Sequence, residues 1–132
     1  NIIFAWDELN ALAKESLDLA RHKLMDILCN YAGYRKCVPI LVFDAYRVKG
    51  AGREQETWHN LHVIYTREAE TADMFIERAT HELAKNHRVR VVSSDGAEQI
   101  IILGNGALRV SARAFEREVR AVEAEIREFL DQ

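Results

Sequence analysis

Two cysteines, one proline and six glycines in 132 residues leave several architectures without their raw material. Cys29 and Cys37 are too few for a disulfide framework and lack Cys-x-x-Cys spacing. A chain of this size buries roughly two-thirds of its unfolded surface and folds on its core alone. Both thiols read as reduced and as buried small hydrophobes, which fits a cytoplasmic protein. No apolar run approaches the roughly 20 residues that a bilayer core demands, and no signal-peptide pattern opens the residues given. There is no Walker glycine loop, no Gly-x-Gly-x-x-Gly and no nucleophile elbow with a Ser-His-Asp order. Positive charge is not in excess either. Eighteen Lys and Arg against 21 Asp and Glu leave a net charge of −3, which excludes a polycation that coats nucleic acid and leaves room for a local basic groove.

What remains is average for a folded protein, with 48% hydrophobic and 30% charged residues, and predicts one domain over residues 1–132. The chain opens on Asn1-Ile2-Ile3-Phe4 without a Met and closes inside a helical run, so a fragment of a longer protein is expected.

Apolar residues recur at helical spacing from Leu9 to Tyr34, through Leu12, Leu17, Ala20, Leu24, Ile27, Leu28 and Tyr31, predicting one long helix ended near Gly33. Val38 to Phe43 is a continuous apolar run closed by Asp44, which predicts a central parallel strand covered on both faces. Pro39 stands near its start, where a strand tolerates proline. Tyr46 to Asn60 has no apolar period and reads as a long polar loop. Leu61 to Tyr65 predicts a strand. Thr71 to Asn86 predicts a helix capped by Thr71, and Val89 to Ser93 a further strand. Ala97 to Leu103 predicts a short helix stopped by Gly104-Asn105-Gly106. Ser111 caps a last helix carrying Phe115, Val119, Val122, Ile126 and Phe129. This alternation predicts an α/β domain of three layers around a central, mostly parallel sheet.

In such sheets, sites form at the carboxyl ends of strands. Two predicted strands run into an acid, Asp44 and Asp95, and Asp73 lies in the first turn of the helix after a third, with Glu70 just ahead of its cap. Clustered carboxylates repel unless a cation or a shared proton holds them, and all-oxygen donors suit Mg²⁺ or Mn²⁺. The same acids could equally begin turns and favour a helix N-terminus without any cation. His59 and His62 fall where i, i+3 spacing does not face one way, so a zinc pair is not expected. Trp6 and Trp58 can stack on bases or serve as buried anchors, and Trp58, in the polar stretch, is the better candidate for stacking. Arg47, Lys49 and Arg53 in the polar stretch, with Arg67, Arg109 and Arg113 elsewhere, could either meet an RNA backbone near the acidic rim or simply be solvated.

The ordered segments Val42-Phe43-Asp44-Ala45, Val48-Lys49-Gly50, Val63-Ile64-Tyr65-Thr66 and Glu70-Thr71-Ala72-Asp73 resemble the YacP-like branch of the NYN-domain ribonucleases. Ser93-Ser94-Asp95 with Glu98-Gln99, then Gly104-Asn105-Gly106-Ala107-Leu108-Arg109 with Ser111-Ala112-Arg113, extend the resemblance over nearly the whole chain. It implies a PIN-like α/β fold and a divalent-metal endoribonuclease that cuts mRNA on the ribosome. Carried over by motif, Asp73 and Asp95 become catalytic metal carboxylates with Glu70 beside them. Asp44 becomes a catalytic or outer-shell acid, and Lys49 and Gly50 begin a basic segment suited to RNA or ribosome contact. Relatives open with a strand ending Asp-Gly-Tyr-Asn, of which Asn1 looks like the last residue. The first strand with its Asp, and the extreme C-terminus, are therefore expected to lie outside these residues. The expectation is a cytoplasmic, Mg²⁺- or Mn²⁺-dependent endoribonuclease whose partners are mRNA and the ribosome, with no DNA or membrane. The alternative is a non-catalytic RNA- or ribosome-binding module on the same fold.

Overall fold

A computed structural model describes residues 2–44, 54–67, 69–93, 101–102 and 106–132. In chain order these form α1 (Ile2–Ala5), α2 (Asp7–Glu15), α3 (Leu17–Arg35), β1 (Ile40–Phe43), β2 (Glu54–Trp58) and β3 (Leu61–Tyr65). They continue through α4 (Ala72–Leu83), β4 (Arg90–Ser93), β5 (Ile101–Ile102), β6 (Leu108–Ser111) and α5 (Ala112–Leu130).

The helical stretch predicted over Leu9 to Tyr34 is broken in two. Ser16 adopts extended backbone (φ −159°, ψ 122°) and its hydroxyl accepts from the Leu19 amide, so it caps α3 instead of continuing α2. Gly33 lies inside α3, which ends two residues later with Lys36 in the left-handed region.

The strands form two three-stranded groups among the described residues, in the orders β1-β3-β2 and β4-β6-β5. Each has one parallel pair, β1 with β3 and β4 with β6, and one antiparallel pair, β2 with β3 and β5 with β6. The fold is thus mixed α/β, and three of the sequence expectations change. The middle strand is β3, not β1, whose flank leaves Val38 and Ile40 exposed. The polar stretch before Asn60 contains β2, which an apolar period cannot reveal because Gln55, Glu56 and Thr57 are all exposed. Ile101 and Ile102 belong to a strand and not to the predicted short helix; the rest of that segment, apart from Gly106, lies outside the described residues.

One core cluster joins Ile3, Trp6 and Leu9 to Leu24, Leu28 and Tyr31 of α3, Leu61 and Val63 of β3, and Phe115, Val119 and Val122 of α5. Trp6 is fully buried, its indole N–H donating to the Ala112 carbonyl at 2.8 Å and its ring 6.0 Å from that of Phe115. It is an anchor, not a stacking platform. Ile64 and Phe75 are buried outside that cluster, where α4 covers the other face. Among the described residues no helix is long and apolar enough to cross a membrane.

Candidate functional site

The carboxyl ends of β1 and β3 are fastened together first. The amide of Thr66, a fully buried residue, donates to the Phe43 carbonyl at 3.0 Å, extending the parallel ladder one step past β3. Asp44 follows at once, and its Oδ1 accepts the Ala72 amide at 2.5 Å, 28 residues away. An α-helix begins with unsatisfied N–H groups. In α4 they are shared out: Asp44 takes Ala72, the Thr71 hydroxyl takes Met74 at 3.1 Å, and the Thr71 carbonyl takes Phe75. The β1 carboxylate therefore fixes where α4 starts, and Asp73, exposed in its first turn, is held at the carboxyl end of the sheet. The positive end of the helix dipole favours both acids there.

Glu70 lies largely buried just before the cap, and its carboxylate meets the Arg78 guanidinium at 2.6 Å. Arg78 in turn lies 5.6 Å from the centre of the Phe75 ring. The sequence placed Glu70 among the metal-binding acids; in the fold it is engaged by a cation of α4. No sequence signal pointed to Arg78, because the pair forms only once the turn before α4 folds back.

At the same end, Ser93 closes β4 and its hydroxyl accepts from Arg109 Nε at 3.0 Å. Arg109 is thereby aimed toward the carboxyl end of β4. Ser111 closes β6 and caps α5 by accepting from Ala114 at 3.1 Å, which leaves Arg113 exposed in the first turn. Asp44, Asp73, Glu70, Arg109 and Arg113 are all described. Asp95, Arg47, Lys49, Arg53 and Asn1 lie outside the described residues. Among the described residues, no three His, Cys, Asp or Glu side chains converge as a metal cage. Mg²⁺ does not require one, since it binds through one or two carboxylates and keeps several waters. Asp73, exposed and without an ion-pair partner among the described residues, fits that role better than Glu70.

A second polar group lies at the amino end of β4. Arg90 grips Glu118 of α5 through two nitrogens, at 3.0 and 3.2 Å, and donates to the Tyr31 hydroxyl at 3.2 Å, while Tyr31 donates to Glu118. Burial, then the hydrogen bond to Glu118, pushes Tyr31 above the ordinary tyrosine range. Burial also acts to raise Glu118, but its bonds from Tyr31 and Arg90 outweigh that and hold it below the ordinary carboxylate value. This group ties α3, β4 and α5 together away from the acidic end. Sequence spacing gave no sign of it. Trp58, 38% exposed, makes T-shaped ring contacts with His22 and His59.

The profile of the YacP-like NYN domain matches residues 1–132. The chain is 42% identical over 127 residues to the uncharacterized protein YacP of Bacillus subtilis (strain 168), spanning 96% of this chain and 74% of that one. The crystal structure of Rae1 (YacP) from Bacillus subtilis superposes with a TM-score of 0.81 at 39% identity, covering 99% of this chain and 75% of that one. A tryptophan-to-leucine mutant of the same protein gives 0.79 at 38% identity over 97% of this chain and 75% of that one.

Proposed function

The chain belongs to the YacP-like NYN domain family, and from that premise we propose that it is a divalent-metal-dependent endoribonuclease that cleaves mRNA in association with the ribosome. The family carries a nuclease-type, RNA-directed role, and in this α/β fold Asp44 follows the carboxyl end of parallel strand β1, with Asp73 in the first turn of the helix after β3. One observation supports the finer reading most: Asp44 reaches across to the start of α4 and so stations Asp73 at that rim.

In this reading Asp73, together with Asp95, holds Mg²⁺ or Mn²⁺. Bound there, such an ion would supply an activated water and offset negative charge on the scissile phosphate. Asp44 acts as a positioning residue through the Ala72 amide. Glu70, paired with Arg78, steadies the first two turns of α4. Arg109, oriented by Ser93, and Arg113 contact phosphates of the RNA, joined by Arg47, Lys49 and Arg53. Such contacts set register and orientation and carry no base readout. Both thiols are free, Cys29 half-buried and Cys37 exposed rather than buried as expected, and free thiols suit a cytoplasmic setting.

The test is incubation of the full-length protein with end-labelled single-stranded RNA in Mg²⁺, Mn²⁺ or EDTA, alone and with translating ribosomes. Internal cuts that need the metal are expected, stronger when ribosomes are present. RNA or ribosome binding without any cutting in either setting would overturn the enzyme and favour a non-catalytic binding module.

A further inference from the structure

The end of the fold opposite Asp73 has a charge pattern of its own. Three connections meet there: 36–39 between α3 and β1, 59–60 between β2 and β3, and 84–89 between α4 and β4. The His62 amide donates to the Pro39 carbonyl at 3.1 Å, joining the first two. Arg90, which opens β4, donates to Tyr31 near the end of α3, joining the third. Together with Arg35, the last residue of α3, these connections contain four Lys or Arg, two His and no Asp or Glu. The chain as a whole carries −3, so the cations are segregated. Arg35, Lys36, His59, Lys85, His87 and Arg88 are all exposed. Two carboxylates close by are already engaged: Glu82 with Lys85 at 3.2 Å, and Glu118 with Arg90 and Tyr31. Lys36 and Arg88 have no ion-pair partner among the described residues.

Backbone conformation singles out the same place. Lys36 and His59 are the only non-glycine residues with positive φ among the described residues, both at 56°. Lys36 terminates α3 in the left-handed region, where glycine is the usual occupant, and His59 opens a two-residue hairpin turn that favours Asn or Gly. A cation and an imidazole are kept there at a cost in stability, a pattern found where side-chain chemistry is used.

We infer that this basic end, built by Arg35, Lys36, His59, His87 and Arg88, is a second RNA-contact surface that grips the phosphate backbone of folded RNA. The partner class rests on the RNA-directed reading above. Half-exposed Trp58 beside His59 offers a face for an unpaired base at its border. A strand entering the acidic end would then be cut by a domain anchored through its opposite end.

The experiment measures binding of the full-length protein to a fluorescent RNA hairpin by anisotropy, in EDTA so that nothing is cut, across a salt series. The variants are Lys36→Gly, Arg88→Ala and the two combined. Each single change is expected to weaken binding on the order of threefold to tenfold, and the pair to lower the salt slope by about two. Lys36→Gly is expected to leave the melting temperature unchanged or raised, so lost binding cannot be laid to misfolding. Affinity within twofold of the parent with an unchanged slope overturns the proposal, as does competition by polyglutamate as strong as by unlabelled RNA, which would indicate an acidic protein partner. Cleavage of a short single-stranded oligonucleotide with Mn²⁺ separates the two readings. If no form cuts it, alone or with translating ribosomes present, while hairpin binding still depends on Lys36 and Arg88, the nuclease reading fails and this surface stands.

Discussion

Replacing Asp44 by Ala removes the acceptor for the Ala72 amide, a part-buried donor bonded at 2.5 Å. A buried or half-buried donor left unsatisfied costs about 1–3 kcal/mol, and loss of a negative charge at a helix N-terminus adds about 0.3–1 kcal/mol. Thr71 still caps Met74, so α4 survives with a frayed first turn, and about 2 kcal/mol is the expected total. For a domain between the 100- and 150-residue classes that corresponds to a fall in melting temperature of roughly 6–10 °C. Asp44→Asn keeps an acceptor oxygen and should lose less than half as much. Calorimetry or a circular-dichroism melt on the two variants reads this directly. RNA cleavage should follow the same order, because Asp73 rides on the turn that Asp44 fixes. An Asp44→Ala protein that melts within 1 °C of the parent refutes the reasoning. An Asp44→Asn protein with full stability and no cleavage would instead give Asp44 a direct part in the chemistry.

Other consequences follow from the same contacts. Trp6→Phe loses the 2.8 Å bond to Ala112 and part of a fully buried side chain; it should cost about 2–3 kcal/mol in urea unfolding, and a loss under 0.5 kcal/mol would show the anchor to be dispensable. Glu118, held below the ordinary carboxylate value of 4.5, stabilises the fold fully above that value, and the contribution is lost as pH falls through the lower folded value. Tyr31, raised above 10.0, acts in the other sense: its contribution is present below pH 10.0 and is lost as pH rises past the raised value. Urea midpoints below pH 4.5 should therefore fall more steeply for the parent than for Glu118→Gln, and parallel acid limbs would contradict this. Glu70→Gln should leave Mn²⁺ affinity, read by electron paramagnetic resonance, within threefold of the parent, because the carboxylate serves Arg78; a tenfold loss would return Glu70 to the metal.

The parts legible in the sequence are those set by local chemistry. Thr71 and Ser111 announce their helices because a hydroxyl cap satisfies an amide three residues on. The apolar run ending in Asp44 and the strand Leu61 to Tyr65 are visible because burial demands apolar side chains. Ser16 was hidden inside a continuing apolar period, although the same cap chemistry that betrays Thr71 splits α2 from α3 there. β2 was hidden because an exposed edge strand needs no apolar face, only the ladder that Gln55 to Trp58 makes with β3. At the candidate site, motif order located Asp44, Glu70 and Asp73 on neighbouring turns. What it could not give was how the acids are used. The Asp44 bond to Ala72 and the Glu70 pair with Arg78 arise from chain crossings that no spacing rule encodes. The gathering of Arg35, Lys36, His59, His87 and Arg88 likewise emerges only when three separate turns are brought to one end.

The central claim is that Asp73 serves metal-dependent RNA cleavage from the carboxyl end of the sheet. Its most direct test is a single-turnover cleavage rate for the full-length parent and Asp73→Asn, in saturating Mn²⁺ and on the same labelled RNA, with equal thermal melts as the control. The account predicts a loss of at least about 100-fold, equivalent to roughly 2.8 kcal/mol of transition-state stabilisation, with RNA affinity in EDTA unchanged. A variant that still cuts within threefold of the parent would contradict it.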